Sequence, residues 1–149
     1  MFNTISGVAS SIGSRGIPQL RHIEARQSYR TLCNVQNWPS APIDILKTQA
    51  YHDLYAGAAE PLIVSIGMCL QQWCGGGAAL WVCNDGPYFV QANKMVIADM
   101  MNNCIDACPD PKNSSISQCQ IFPEDTSNNY NIIVRGDNDC FWGERPTSG

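Results

Sequence analysis

Apolar residues recur at helical spacing in two parts of the chain. Over residues 42–57 they are Ile43, Leu46, Ala50 and Leu54, with Pro42 suited to the first turn and Gly57 to the end. Over residues 94–108 one stripe carries Ile97, Met100, Met101, Cys104 and Cys108, opposite the polar Asp99, Asn102, Asn103 and Asp106. We therefore predict two amphipathic helices, each covering a sheet with its apolar stripe.

Short apolar and β-branched runs elsewhere predict strands. They read YRTLCNV (29–35), LIVSIGMCLQQW (62–73), AALWVC (78–83), SISQCQIF (115–122) and YNIIVR (130–135). Three consecutive glycines, 75–77, suit a tight turn, so the second and third runs form a predicted hairpin with cysteines on neighbouring strands. The order β-α-β-β-α-β-β predicts an α+β fold, an αβ-sandwich in which two helices cover an antiparallel sheet of about four to five strands.

Eight cysteines are the unusual feature of the composition. Their spacing lacks the paired C-x2-C or H-x3-5-H pattern of structural zinc and the C-x-x-C of a redox pair, so disulfides are favoured over metal ligands or reactive thiols. We predict four bridges made in an oxidising compartment. The cysteines are Cys33, Cys69, Cys74, Cys83, Cys104, Cys108, Cys119 and Cys140.

Sequence leaves 105 possible pairings for eight cysteines. Cys104 and Cys108 lie four residues apart on the sheet-facing side of the second helix. We expect each of them to bridge to a strand cysteine rather than to the other. No metal or other cofactor is predicted.

The N-terminal residues differ in character from the rest of the chain. IEARQ (23–27) looks like the end of a leader or propeptide, with cleavage after Arg26, although a disordered tail is the alternative. We predict a leader-like or disordered segment at 1–26 and one disulfide-rich domain at 27–149. Cleavage would remove three Arg and one Glu and move the net charge from −4 to −6.

An acidic chain with isolated Lys and Arg residues is a poor candidate for binding nucleic acid or an anionic membrane surface. No apolar stretch is long enough to cross a membrane, so membrane insertion is not predicted. The expected form is a secreted monomer.

No set of residues in the sequence predicts a catalytic site. His52 falls off the apolar stripe of its helix, and Asp99 and Asp106 are interpreted as solvated carboxylates rather than an acid/base couple. The tripeptide Arg135 to Asp137 matches a cell-attachment motif in letters but only ends the last strand, and the glycine run lacks the GK[ST] of a phosphate loop.

Two features are candidates for contact with other molecules. Trp38 and Trp142 lie in predicted loop or tail segments, where exposed aromatic rings suit a sugar or protein partner. Asn113 begins an N-glycosylation sequon, Asn113-Ser114-Ser115, which predicts a glycan if the chain is secreted.

Three motifs together resemble a known family. They are C-x4-C before a turn and an apolar strand ending WVCND, a helix ending in cysteine, and the closing YNIIVRGDNDC. Over residues 29–140 the chain resembles the killer-toxin-like small secreted cysteine-rich proteins of fungi. The resemblance implies a disulfide-held αβ-sandwich, secretion, and action on another cell as a toxin or a virulence effector. Cation-channel interference, associated with basic members, does not suit this acidic chain.

The sequence thus predicts a secreted, non-enzymatic protein that binds a protein or glycan on the surface of another cell. The alternatives are a cell-wall or glycan-binding structural protein and a small secreted hydrolase using scattered carboxylates.

Overall fold

The computed structural model describes residues 21–22, 28–35, 37–124, 130–140 and 144–146. The helical segments are α1 (Ile43–Ile45), a π-helical stretch (Leu46–Ala50), α2 (Tyr51–Ala56) and α3 (Lys94–Ala107). The strands are β1 (Arg21–His22), β2 (Tyr29–Cys33), β3 (Ala41–Pro42), β4 (Leu62–Val64), β5 (Met68–Gly75), β6 (Ala78–Asn84), β7 (Val90–Ala92), β8 (Pro109–Asp110), β9 (Asn113–Ser117), β10 (Cys119–Pro123), β11 (Tyr130–Gly136) and β12 (Glu144–Pro146).

The largest sheet has six strands in the order β12-β5-β6-β11-β10-β2, all paired antiparallel. Two smaller sheets have three strands each, β1-β7-β4 and β3-β9-β8. Within them only β1 and β7 run parallel. The predicted α+β class with antiparallel sheets is therefore confirmed.

The predicted hairpin is present as β5 and β6. Gly76 and Gly77 form its turn with φ angles of 58° and 86°, a left-handed conformation that glycine adopts without steric cost. A Cβ on Gly76 would also collide with the side chain of Ile45, so this turn packs directly against α1. All seven residues of β6 are buried, as its nearly continuous apolar sequence indicates.

The helix α3 forms as predicted and covers β10 and β11. The side chain of Asn93 caps its N-terminus by accepting a hydrogen bond from Met95 N at 2.7 Å. Every member of the predicted apolar stripe is buried: Ile97, Met100, Met101, Cys104 and Cys108. A second, smaller apolar cluster on the opposite face of the main sheet surrounds Trp81.

The predicted numbers of helices and strands were wrong. Among the described residues α3, with 14 residues, is the one long α-helix, and twelve strands replace four to five. Residues 43–56 pass through a π-helical stretch between two short α segments. The hydroxyl of Thr48 donates to the carbonyl of Asp44 at 2.8 Å, a side-chain bond that competes with the regular helical ladder.

Two predicted strands are each divided in two. Residues 115–122 form two strands, β9 and β10, because Gln118 between them binds Val35 instead of continuing the strand. Its side-chain Nε2 donates to Val35 O and its Oε1 accepts from Val35 N, both at 2.8 Å. Residues 62–73 become β4 and β5, separated by a turn at Gly67 with φ 72°. Each break moves the chain from a small sheet into the six-stranded sheet.

Candidate functional site

All eight cysteines are paired, so the predicted framework of four disulfides is confirmed. Cys104 bridges to Cys119 in β10 and Cys108 to Cys33 in β2, as expected for cysteines that fasten a helix to a sheet. The remaining bridges are Cys69–Cys83, across the hairpin, and Cys74–Cys140. In the part of the chain that the structure describes, no three His, Cys, Asp or Glu side chains are grouped to hold a metal ion.

Four large apolar side chains form an exposed surface, which we call the apolar surface: Ile63, Ile66, Tyr88 and Phe89. They are 53%, 49%, 48% and 53% exposed. Because β4 and β7 are antiparallel, Ile66 just after β4 lies at the same end of the pair as Tyr88 and Phe89 just before β7. Water-exposed apolar residues scattered singly are ordinary, but three at one end of a strand pair, with Ile63 on the outer face of β4, indicate a contact surface.

The loop that carries Tyr88 is fixed by the fully buried side chain of Asn84. Its amide nitrogen donates to Val64 O at 3.1 Å and to Tyr88 O at 2.7 Å, and its amide oxygen accepts from Gly86 N at 3.0 Å. One side chain thus joins the end of β6 to both β4 and the loop. The apolar surface is therefore held in place before any partner binds, which lowers the entropic cost of binding.

Asp85, the first residue of that loop, is also held by hydrogen bonds. Asp85 accepts a hydrogen bond from Asn131 Nδ2 at 2.7 Å, and Asn131 Oδ1 in turn accepts from Gln120 Nε2 at 2.8 Å. This chain of side chains crosses from the loop over β11 to β10. The loop therefore has polar anchors on the six-stranded sheet as well as on β4.

Of the two tryptophans predicted to contact a partner, the structure describes Trp38. Trp38 is half-buried, and the guanidinium of Arg135 lies 5.9 Å from the centre of its ring, a cation–π contact within the molecule. Trp142 lies outside the described residues. Its part in binding stays a prediction.

The predicted glycosylation position is accessible. Asn113 begins β9 and is exposed. Its side-chain oxygen accepts hydrogen bonds from Ser115 N at 3.0 Å and Ser115 Oγ at 2.6 Å, so the sequon serine contacts the asparagine that would carry the glycan. Modification at Asn113 stays a prediction.

The carboxylates considered as an acid/base couple have separate partners. Asp106 forms an ion pair with Lys47, whereas Asp99 accepts hydrogen bonds from the hydroxyls of Tyr51 and Tyr55, both at 3.4 Å. Seven residues along a helix separate the two by about 10.5 Å. His52, whose side chain is 83% exposed, lies on the surface as expected.

Three tyrosines surround Asp99. The rings of Tyr51 and Tyr55 stack with centroids 4.7 Å apart. Hydrogen bonding with Tyr51, followed by desolvation and the charge of Asp99, raises the pKa of Tyr55 to about 12. Burial, with a contribution from Asp99, also raises the pKa of Tyr29, whose hydroxyl is buried without a hydrogen-bond partner among the described residues. The raised pKa values of Tyr29 and Tyr55 favour the neutral phenol at both positions.

No family model, curated protein or solved structure matches this chain. The resemblance to killer-toxin-like proteins therefore stays a prediction. No helix in the described part of the chain is long and apolar enough to cross a membrane. The four disulfides are compatible with a secreted protein.

The apolar surface was not predicted from the sequence. Its two isoleucines and its two aromatic residues are more than twenty residues apart in the chain, and the pairing of β4 with β7 brings them to the same strand pair. One local signal was present: Tyr88 and Phe89 follow the turn sequence NDGP and precede the strand, where polar residues are usual. Two adjacent aromatic residues in such a loop indicate a surface that contacts a partner.

Proposed function

We propose that this protein is secreted and acts without enzymatic activity, as a toxin-like or effector-like monomer that binds a protein on another cell. The observation that carries the proposal is the apolar surface, whose residues Tyr88 and Phe89 lie on a loop that Asn84 already fixes. The resemblance stated above favours a toxin or effector role among binding functions.

The disulfides support the extracellular part of the proposal. Thiols of cytosolic proteins are mostly kept reduced, whereas four bridges in 149 residues are typical of an oxidising compartment. Each bridge is expected to contribute about 2–4 kcal/mol by restricting the unfolded chain. Such a protein would keep its binding surface folded among extracellular proteases.

The chemistry of the apolar surface favours a protein partner. Aromatic side chains are enriched in protein interfaces, where their rings bury a large area with few rotatable bonds. Tyr88 and Phe89 have this character, and Ile63 and Ile66 add aliphatic area beside them. The chain carries fewer basic than acidic residues, 9 against 13, which does not favour an anionic ligand.

The test is labelling of intact fungal and plant cells with fluorescent protein. We expect saturable labelling of at least one cell type, and at least a tenfold loss of affinity in the double variant Ile63→Ser/Phe89→Ser. Leu32→Ser is the matched control, because Leu32 is 41% exposed but lies on β2, in a different sheet. Equal labelling by the double variant and the control would overturn the proposal.

A glycan-binding role is the second candidate, and one observation favours it. The stacked rings of Tyr51 and Tyr55 beside the carboxylate of Asp99 combine an aromatic face with a hydrogen-bond acceptor, which sugars require. Binding to a glycan array that Tyr55→Ala abolishes, with Ile63→Ser/Phe89→Ser unaffected, would favour this candidate over the first.

A further inference from the structure

The strand β7 has a backbone edge that accepts an added strand. β4 pairs with one side of β7 over three residue pairs, whereas in the described part of the chain the other side is paired with the two residues of β1. Arg21 lies opposite Val90, and His22 lies opposite Gln91, in parallel orientation. The molecule itself thus shows that this edge takes up an extended segment, and in which direction.

We propose that the edge of β7 recognises an extended polypeptide segment of the target, which adds to the sheet as a parallel strand beside the apolar surface. This inference rests on the proposed function and names its mode of recognition. The segment around Arg21–His22 then occupies the same edge from within the chain and competes with the target.

The β4–β7 pair is firm enough to act as a template. Its inward side chains Leu62, Val64, Val90 and Ala92 are all at least 96% buried in the main core. An incoming strand therefore meets a backbone that is already ordered. Main-chain hydrogen bonds supply affinity in such strand addition, and side-chain contacts supply specificity.

The apolar surface lies where those side-chain contacts would be made. Phe89 immediately precedes the edge residue Val90, and Ile63 is the partner of Gln91 across the strand pair. A strand lying along this edge of β7 would thus run past Phe89, whereas Ile63 lies on β4, on the far side of β7 from the added strand. Apolar side chains in the target segment would be favoured over charged ones.

The segment in β1 is a weak occupant of the edge. It contributes two residue pairs, and it belongs to residues 1–26, which the sequence predicts to be a leader-like or disordered segment. An unprotected edge strand tends to pair with other chains. Occupation by β1 would guard the edge until a longer segment displaces it.

The probe is a fluorescein-labelled peptide with the sequence of residues 17–26, IPQLRHIEAR. It is titrated by fluorescence anisotropy against the full-length chain and against the full-length variant Arg21→Pro/His22→Pro. Proline removes a backbone donor and disfavours strand pairing, so the variant should expose the edge while leaving the bridged core unchanged. The control peptide carries the same two prolines.

We expect the peptide to bind the proline variant at least tenfold more tightly than the unaltered chain, because the tethered segment competes at high effective concentration. The control peptide should not bind, and the proline variant should label target cells more strongly than the unaltered chain. Equal binding of the two peptides to the variant would overturn the inference. So would dimers of the unaltered chain at micromolar concentration that the prolines abolish, because the occupant would then be a second copy.

The two proposals fail separately. Loss of cell labelling in Ile63→Ser/Phe89→Ser together with equal binding of both peptides would retain the binding function and overturn strand addition. Peptide binding that depends on the edge, with cell labelling unchanged in Ile63→Ser/Phe89→Ser, would support strand addition and overturn the apolar surface as the target site.

Discussion

Two regions of the molecule are stabilised in different ways. The bridged region, which comprises β2, β5, β6, α3, β10 and β11, carries seven of the eight cysteines within its elements or, for Cys108, directly after α3. The eighth, Cys140, follows β11. The unbridged region, residues 43–66 and 85–93, contains no cysteine. It nevertheless carries five of the seven exposed large apolar side chains found among the described residues: Tyr55, Ile63, Ile66, Tyr88 and Phe89.

The comparison shows that the disulfides lie in one region and that most of the exposed large apolar side chains of the described residues lie in the other. The bridged region has two exposed large apolar side chains among the described residues, Leu32 and Met95, and most of its apolar side chains fill a core between α3 and the six-stranded sheet. The unbridged region is held by its inward residues and by side-chain hydrogen bonds from its neighbour, above all those of Asn84. Its outer face is therefore free to vary and to bind.

The largest expected effect is loss of the bridge with the longest closed loop. Cys33–Cys108 spans 75 residues, whereas Cys69–Cys83 spans 14. On the chain-entropy account, Cys33→Ala/Cys108→Ala should lower the free energy of unfolding by about 4 kcal/mol, and Cys69→Ala/Cys83→Ala by about 3 kcal/mol. Urea unfolding followed by circular dichroism measures both. A larger loss for the hairpin bridge would show that loop entropy does not rank these bridges.

Next in size is Asn84→Ala, which removes the main polar link between the two regions. The substitution leaves the carbonyls of Val64 and Tyr88 and the amide of Gly86 without this partner. We therefore expect the free energy of unfolding to fall by about 2–3 kcal/mol. The matched control is Asn103→Ala, because Asn103 is exposed and makes one hydrogen bond, to Asp99 O. Asn103→Ala should lower the free energy of unfolding by less than about 0.5 kcal/mol.

Hydrogen exchange sharpens the same prediction. In Asn84→Ala the amide of Gly86 should exchange faster, while amides of β6 and β11 keep their protection, because the change releases the loop rather than the sheet. Uniformly faster amide exchange across β6 and β11 would contradict a local effect on the loop and would show that Asn84 stabilises the whole fold.

The bridged region was the more predictable of the two from sequence. The helical period of residues 94–108 is confirmed by α3, and the apolar strand with its glycine turn by the hairpin. Both signals are local. The expectation that Cys104 and Cys108 bridge to strands also followed from their shared helix face, and it is confirmed.

The unbridged region was less predictable because its structure depends on contacts distant in sequence. Apolar spacing in residues 43–54 is the same for a regular helix and for one interrupted by a π-helical stretch, so the break could not be inferred from it. The apolar surface needs the pairing of β4 with β7, which no short motif specifies. The same holds for Gln118, whose contact with Val35 divides β9 from β10.

A smaller effect is expected for the ion pair that connects the two regions. Lys47 of the π-helical stretch pairs with Asp106 of α3, but their side chains are 42% and 61% exposed. We expect a coupling free energy below about 1 kcal/mol in a double-mutant cycle of Lys47→Ala and Asp106→Ala, because solvent screens such pairs. The coupling should shrink further in 1 M salt. A coupling that salt leaves unchanged would indicate direct packing instead of charge.

The smallest effect at neutral pH concerns Tyr55, which joins the unbridged region to Asp99 of α3. Its pKa is raised from 10.0 to about 12, first through hydrogen bonding with Tyr51, so the fold favours the neutral phenol. A raised pKa of this kind contributes stability that is fully present below pH 10 and is lost as the pH rises towards 12. Tyr55→Phe should therefore remove a tyrosine that ionises near pH 12 when absorbance at 295 nm is followed between pH 9 and 13. Tyr51→Phe and Asp99→Asn should each lower the pKa of Tyr55 while leaving the phenol present. If neither shifts the titration, the two regions are joined here by ring packing alone.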